Sequence, residues 1–75
     1  MEYMSQEGYD KLNNELNDLI KERLPKAIQA IQEARDKGDL SENYEYRAAK
    51  REHGRILSRI RFLQKVLMYA RVLPA

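Results

Sequence analysis

Two carboxylates, Asp39 and Glu42, lie three residues apart in the segment GDLSEN, which spans residues 38–43. Carboxylate oxygens are ligands that Mg²⁺ prefers, and a magnesium site often takes only one or two carboxylates from the protein. Two acids alone would hold the ion weakly, so the pattern favours a shared site that a partner completes. In such a site the metal can activate a water molecule and bind a phosphoryl group.

A purely structural role for the same acids is the alternative. With Asp39 as the N-cap of a helix, Glu42 would occupy the third helical position, which is the spacing of a capping box. The positive end of the helix dipole would favour both acids. Ser41 is a competing N-cap that would release both acids to point outward. The sequence leaves these alternatives open.

Basic residues cluster on both sides of this segment. Four arginines that follow it are spaced by four residues, which places them on one ridge of a helix. Such a ridge suits a nucleic-acid backbone, which Arg and Lys contact without sequence preference. The alternative is a solvated face that pairs with Glu45, Glu52 and the acids of the first half. The ridge consists of Arg47, Arg51, Arg55 and Arg59, with Lys50, Arg35 and Lys37 close to the bend.

The distribution of charge along the sequence also favours a contact between the second half and a nucleic acid. Residues 1–37 carry eight acids and six bases (8 against 6, net −2), whereas residues 38–75 carry four acids and eight bases (4 against 8, net +4). The second half is therefore the half expected to face a polyanion.

The second half also has the pattern of one long helix. Its apolar seam recurs with alternating spacings of three and four residues, which is the heptad pattern of a coiled coil. This predicts a helix over about residues 42–71. The seam consists of Tyr46, Ala49, His53, Ile56, Ile60, Leu63, Leu67 and Ala70. His53, the only histidine, is expected to be a partly buried seam residue rather than a ligand.

The first half has a similar seam with one irregularity. Its spacings are 3, 4, 4, 4, 3, 4 and 3, so a stutter falls just before Pro25, which cannot donate a helical hydrogen bond. The pattern predicts a bent helix over about residues 5–37. The seam consists of Tyr9, Leu12, Leu16, Ile20, Leu24, Ala27, Ile31 and Ala34.

The two helices are expected to fold back on each other. Lys37 and Gly38 supply a helix stop, and a turn over about 38–41 favours antiparallel packing. We therefore predict an all-α, antiparallel two-helix coiled-coil hairpin over residues 1–75, without strands. Layer partners should have numbers that sum to about 80, with Ile20 opposite Ile60.

Composition limits the function classes. A chain of 75 residues is too short for a large pocket-forming core, and without cysteine it has no disulfide or thiolate site. No window approaches the roughly 20 apolar residues of a membrane span, and the start has no apolar run of a signal peptide. We expect a soluble, cytoplasmic protein that acts through its surface. The apolar segment VLMYARVL, residues 66–73, is a surface through which it could self-associate.

The chain resembles the N-terminal coiled-coil domain of the bacterial transcript cleavage factors GreA and GreB. The resemblance covers nearly all of it: MSQEGYDKLNNELNDL near the start, RLPKAIQAIQEARDKGDLSENYEYRAAKREHGRI through the bend, and ARVL at the close. It implies an accessory factor, not an enzyme alone, that inserts its tip through the secondary channel of RNA polymerase. There it would stimulate the polymerase's own cleavage of backtracked RNA.

The resemblance also implies roles for individual residues. The tip acids would be Asp39 and Glu42, which would help to hold a Mg²⁺ ion whose remaining ligands the polymerase supplies. The basic residues that contact the RNA 3′ portion would be Arg35 and Lys50. Arg47, Arg51 and Arg55 extend this RNA-binding set through the ridge argument. The alternatives are an inhibitor that blocks the channel and a coiled-coil interaction module.

One departure from the family pattern concerns the end of the chain. Family members continue into an FKBP-like C-terminal domain that docks on the polymerase, whereas the sequence ends at Ala75. We expect weak cleavage stimulation, recoverable at high concentration, because one of two linked contacts is missing.

Overall fold

The computed structural model describes residues 2–38 and 43–74. Within these residues, helices account for most of the chain and two short strands lie at its two ends. The elements in chain order are β1 (Glu2–Met4), α1 (Gln6–Asp18), a π-helical turn (Leu19–Arg23), α2 (Leu24–Asp36), α3 (Tyr44–Tyr69) and β2 (Ala70–Val72).

The helices form an antiparallel hairpin, as predicted. Three ion pairs join the two arms: Lys37 with Glu45 near the turn, Arg23 with Glu52 halfway along, and Glu15 with Arg59 further away. The sequence separation of the partners widens steadily along the pair, which only opposite helix directions allow. The molecule is slender, with extents of 55 × 19 × 13 Å.

The irregularity in the first arm is a π-helical turn. The Leu24 N–H donates to the carbonyl of Leu19, five residues back, and Pro25 follows at the start of α2. In an α-helix the Pro25 ring would clash with the carbonyl of Lys21 and leave it without a donor. A wider turn with one extra residue removes that conflict.

The π turn corrects one residue of the predicted seam. Ile20 was expected to face Ile60, but it is 40% exposed and Leu19 is buried, at 3%. With Leu19 in the seam, regular spacings of three and four run up to it. One step of five residues then crosses the π turn to Leu24, where the regular pattern resumes. The stutter is thus a regular heptad pattern with one inserted residue.

The core is a single row of side chains between the two arms. The predicted seam of α3 is confirmed, because its members are buried or half-buried, and His53 is half-buried as expected. Leu63 is completely buried, at 0%. The core cluster consists of Leu19, Ala27, Ile56, Ile60 and Leu63, with Leu12, Leu16 and Leu24 packed against it.

The prediction that the chain has no strands is wrong. β1 and β2 pair in parallel, with Tyr3 opposite Arg71, and the Leu73 N–H adds a 2.9 Å hydrogen bond to the Met4 carbonyl. Three-residue strands fall below the length at which an alternating pattern is recognisable. They form because the hairpin brings residues from both ends of the sequence together.

Exposed apolar side chains are frequent at this strand-bearing end, which we call the base. They include Tyr3, Met68, Tyr69 and Leu73. None of the helices in the described residues is long and apolar enough to cross a membrane.

Candidate nucleic-acid interface

At the opposite end, which we call the tip, the first arm ends as the sequence predicts. Lys37 is the C-cap of α2 and its N–H donates to the Ala34 carbonyl at 3.2 Å. Gly38 then takes a φ of +131°, in a region that residues with a Cβ rarely adopt. Both predicted acids, Asp39 and Glu42, follow within 39–42 and lie outside the described residues.

The second arm begins at an asparagine that sequence reasoning missed as a structural residue. Asn43 is the N-cap of α3, and its Oδ1 accepts a 3.0 Å hydrogen bond from the Tyr46 N–H. Its Nδ2 donates to the Ala34 carbonyl at 2.6 Å. One side chain therefore caps α3 and ties it to the end of α2. Asparagine is among the most favoured N-cap residues, and that preference could have identified it.

The Asn43 cap overturns the capping alternative for the acids. The N-cap of α3 is Asn43, and the third helical position is Tyr46, so these two residues hold the positions that the capping alternative assigned to the acids. The physical reason is that an amide side chain both accepts and donates, whereas a carboxylate only accepts. A carboxylate in the same place could accept from the Tyr46 N–H but could not donate to the Ala34 carbonyl.

The two hydrogen bonds of Asn43 predict a graded loss of stability. Asn43→Ala removes both bonds and is expected to lower the free energy of unfolding by about 1–2 kcal/mol. Asn43→Ser keeps a capping oxygen but cannot reach Ala34, so it should fall between parent and Ala. Urea unfolding followed by circular dichroism measures the difference, and an Ala variant as stable as the parent would contradict the assignment.

Behind the tip, one tyrosine gathers two cations from opposite arms. The Arg35 guanidinium carbon lies 6.0 Å from the centre of the Tyr46 ring, and the Lys50 Nζ lies 5.4 Å from it. Cations within about 6 Å of an aromatic ring are attracted to its face. The structure thus brings Arg35 and Lys50 together, although they lie 15 positions apart in the sequence. We call these three residues the tip cluster.

The tip cluster changes the ionisation of its tyrosine. Hydrogen bonding from Arg35 has the largest effect and lowers the pKa of Tyr46 from its ordinary value of 10.0. Desolvation opposes this less strongly, and the charges of Lys50 and Arg35 lower the pKa further. The lowered pKa means that folding favours the phenolate. Its contribution to stability is therefore present above pH 10 and is lost as the pH falls through the lowered pKa.

This ionisation provides a test of the tip cluster. In a pH titration followed by NMR of the tyrosine rings, Tyr46 should ionise at lower pH than it does in the Arg35→Gln variant. Arginine remains charged throughout the range, so the difference reports its contact with the ring. An unchanged Tyr46 titration in the variant would contradict the cluster.

The predicted arginine ridge divides into two parts. Arg59 forms a bidentate pair with Glu15, at 2.6 and 2.9 Å, and its hydrogen bonds lower the pKa of the Glu15 carboxyl. Arg55 lies 3.5 Å from Glu52, which also pairs with Arg23. Arg55 and Arg59, the half of the ridge nearer the base, therefore belong to a solvated face that pairs with acids, as the alternative interpretation predicted.

The tip half of the ridge is arranged differently. The Arg47 guanidinium carbon lies 5.0 Å from the centre of the Tyr44 ring. Arg51 is exposed and follows Arg47 by one helical turn. These residues and the tip cluster give the tip side of α3 a surface of cations and aromatic rings, which is the composition that binds single-stranded nucleic acids.

A metal site is not formed by the described residues alone. Among residues 2–38 and 43–74, no group of three or more acidic or histidine side chains is placed to hold an ion.

Lys37 lies beside the tip, and its Nζ donates a 2.8 Å hydrogen bond to the Glu45 carboxylate. This hydrogen bond raises the pKa of the lysine.

The fold and this surface together define a slender helical hairpin with a basic, aromatic tip. The family model described as "Transcription elongation factor, N-terminal" matches residues 2–72. The chain belongs to this GreA/GreB family, as the resemblance predicted, and corresponds to its N-terminal domain.

Similarity to individual proteins supports the assignment. The chain is 46% identical over 71 residues to transcription elongation factor GreA of Mycoplasma genitalium, covering 95% of the chain and 44% of the relative. The GreA proteins of Thermosipho africanus and Christiangramia forsetii are 48% and 51% identical over 71 residues, again 95% of the chain, with 46% and 45% of the relative covered. The chain thus spans less than half the length of these relatives.

Proposed function

We propose that this hairpin inserts its tip into the secondary channel of RNA polymerase and stimulates the polymerase's own cleavage of backtracked RNA. Asn43 is the observation that carries the proposal. The N-cap and third helical positions of α3, which the structural alternative assigned to Asp39 and Glu42, are held by Asn43 and Tyr46. Two acids at a turn between two helices then call for a functional explanation, and family membership supplies one.

In this proposal the hairpin is an accessory factor, and the polymerase is the catalyst. Asp39 and Glu42 offer carboxylate oxygens, the ligand type that Mg²⁺ prefers, but too few to hold the ion alone. They would hold a Mg²⁺ ion together with the polymerase, which would supply the remaining ligands. Held there, such an ion would supply activation of the attacking water and stabilisation of charge on the phosphodiester. This partner places the activity in the cytoplasm.

The RNA contact is assigned to the tip cluster. Arg35 and Lys50 lie on different arms but meet at the Tyr46 ring, so both can contact one backbone phosphate chain. Arg47 and Arg51 extend the positive surface along α3. Arg55 is a weaker candidate, because it shares Glu52 with Arg23.

The shape of the hairpin fits the proposed route. Two packed helices give the molecule cross-sections of 19 and 13 Å over a length of 55 Å. A protein of this shape can place its tip deep in a narrow channel while its base stays outside. The apolar core between the arms and the strand pair at the base keep the two helices together along that length.

The experiment that tests the proposal uses RNA polymerase stalled on a template with its RNA 3′ end backtracked. The chain is added over a wide concentration range in the presence of Mg²⁺, and shortening of the RNA from its 3′ end is followed by gel electrophoresis. We expect cleavage to increase with the concentration of the chain. Occupancy of the channel, measured by competition with a labelled copy of the chain, without any increase in cleavage would identify an inhibitor instead.

A further inference from the structure

We propose that Tyr44 is a stacking platform for one nucleobase of the single-stranded RNA at the tip. This inference rests on the proposed function and deepens it, because it assigns the base contact as well as the phosphate contacts. The ligand class is an unpaired nucleobase carried on a ribose-phosphate chain. None of the other aromatic residues has the same combination of position, exposure and neighbours in the described part of the chain.

Tyr44 is exposed where packing does not require an aromatic ring. It is the first residue of α3, directly after the N-cap Asn43, and it is 78% exposed. The first helical position contributes only backbone geometry to the helix, so a small residue would serve equally well there. Along the sequence, Tyr44 comes two residues after Glu42, the second of the two tip acids.

Arg47 gives this ring a defined orientation. Its guanidinium carbon lies 5.0 Å from the ring centre, within the range of a cation–π contact. The contact occupies part of the ring surface, and the large exposed fraction shows that most of the ring remains accessible. An aromatic ring backed by an arginine is the combination on which bases stack in proteins that bind single-stranded nucleic acids.

Tyr46, two residues further along, provides a useful contrast. Its ring is half-buried and is approached by Arg35 and Lys50. Its hydroxyl and its cations suit a phosphate, not a stacked base. Tyr44 is thus suited to the base of a nucleotide, and the tip cluster is suited to its phosphate.

The surrounding charge favours RNA over a protein partner for Tyr44. Lys50 and Arg51 follow Arg47 by three and four residues, so both lie one helical turn from it and on adjoining parts of the surface. A base stacked on Tyr44 would bring the phosphate on its α3 side toward this positive surface. A protein surface would need acidic residues there to match.

A binding experiment with short oligomers tests the inference without polymerase. Fluorescein-labelled oligouridylate and an abasic ribose-phosphate oligomer of the same length are titrated with the chain at low salt, and affinities are read from fluorescence anisotropy. The variants are Tyr44→Leu, which removes the aromatic ring, and Tyr44→Phe, which keeps it. Tyr69→Leu is the matched control, because Tyr69 is 60% exposed but lies at the base.

The expected result separates the base from the backbone. Tyr44→Leu should weaken binding of the base-bearing oligomer by roughly fivefold or more, as removal of one stacking ring does. Tyr44→Phe and Tyr69→Leu should bind like the parent, and the abasic oligomer should not distinguish Tyr44→Leu from the parent. Tyr44 ring signals in NMR should shift upfield with oligouridylate only.

A second pair of substitutions separates failure of this inference from failure of the proposed function. Arg35→Gln/Lys50→Gln should weaken binding of both oligomers and reduce the salt dependence. If that variant behaves so but Tyr44→Leu binds like the parent, stacking is overturned and the phosphate contact stands. If the parent binds neither oligomer, both the stacking contact of Tyr44 and the phosphate contact of the tip cluster are contradicted. Loss of polymerase binding in Tyr44→Leu without loss of oligouridylate binding would assign the ring to a protein contact.

Discussion

Replacing Asp39 with Asn and Glu42 with Gln is expected to remove stimulation of transcript cleavage while leaving the hairpin folded. Both substitutions keep the size of the side chain and remove only its charge. An amide is a poor ligand for Mg²⁺, and since even outer-shell changes at metal sites cost 10- to 100-fold, a loss of roughly tenfold or more is expected. The cleavage assay on backtracked polymerase measures it.

The stability side of this prediction follows from Asn43. Because Asn43 holds the N-cap of α3, we expect the acids to stabilise the helix through the positive end of its dipole, by less than about 1 kcal/mol. Thermal unfolding of the variant should therefore stay close to that of the parent. The Asn43→Ala variant is the matched comparison, since it should lose stability while keeping both acids.

Two results would contradict this prediction. Cleavage stimulation equal to that of the parent would show that the acids do not act on the reaction. A large loss of thermal stability in the double variant would show that they support the fold after all. A variant that still competes for the channel but no longer stimulates cleavage is the expected outcome.

The largest effect on stability is expected from Leu63→Ala. Leu63 is completely buried in the core cluster with Ile60 and Leu19. Truncation of a buried leucine removes its apolar contacts and leaves a cavity, which costs about 2–5 kcal/mol. The free energy of unfolding of a native protein is about 5–15 kcal/mol, so this one substitution should remove a large share of the stability of the hairpin. Urea unfolding followed by circular dichroism at a helical wavelength measures it.

Met68→Ala is the matched control for that substitution. Met68 lies on the same helix, but it is an exposed apolar residue at the base, so its truncation should change stability by no more than about 0.5 kcal/mol. Alanine has the highest helix propensity, so neither variant should lose helix for local reasons. Similar losses in both variants would mean that the apolar surface at the base is covered, for example by a second copy, and unfolding at several protein concentrations would detect this.

The sequence predicts α3 better than the first arm, for a physical reason. The seam of α3 repeats without interruption, and a regular α-helix converts spacing directly into a face. In the first arm the insertion beside Pro25 changes the helix type locally, and spacing alone does not show which residue carries the extra step. Leu19 and Ile20 are neighbours of similar hydrophobicity, so the choice between them depended on the π turn.

The candidate site was predictable to a different extent at each residue. Arg35 and Lys50 were assigned through the family resemblance, and the structure brings them together at Tyr46. Arg59 belonged to the arginine ridge by spacing, but it pairs with Glu15, because spacing along one helix says nothing about acids on the other arm. Asp39 and Ser41 were the caps expected from the sequence, and Asn43 was missed because only the residue at which α3 begins identifies the cap.

The strand pair at the base gives the hairpin a second closed end. A pair of antiparallel helices is joined covalently at its turn, so the two helices can separate only from the other, open end. Here β1 and β2 hold that open end together. We therefore expect the two helices to stay side by side through thermal motion, so that the distance from the base to the start of α3 changes little.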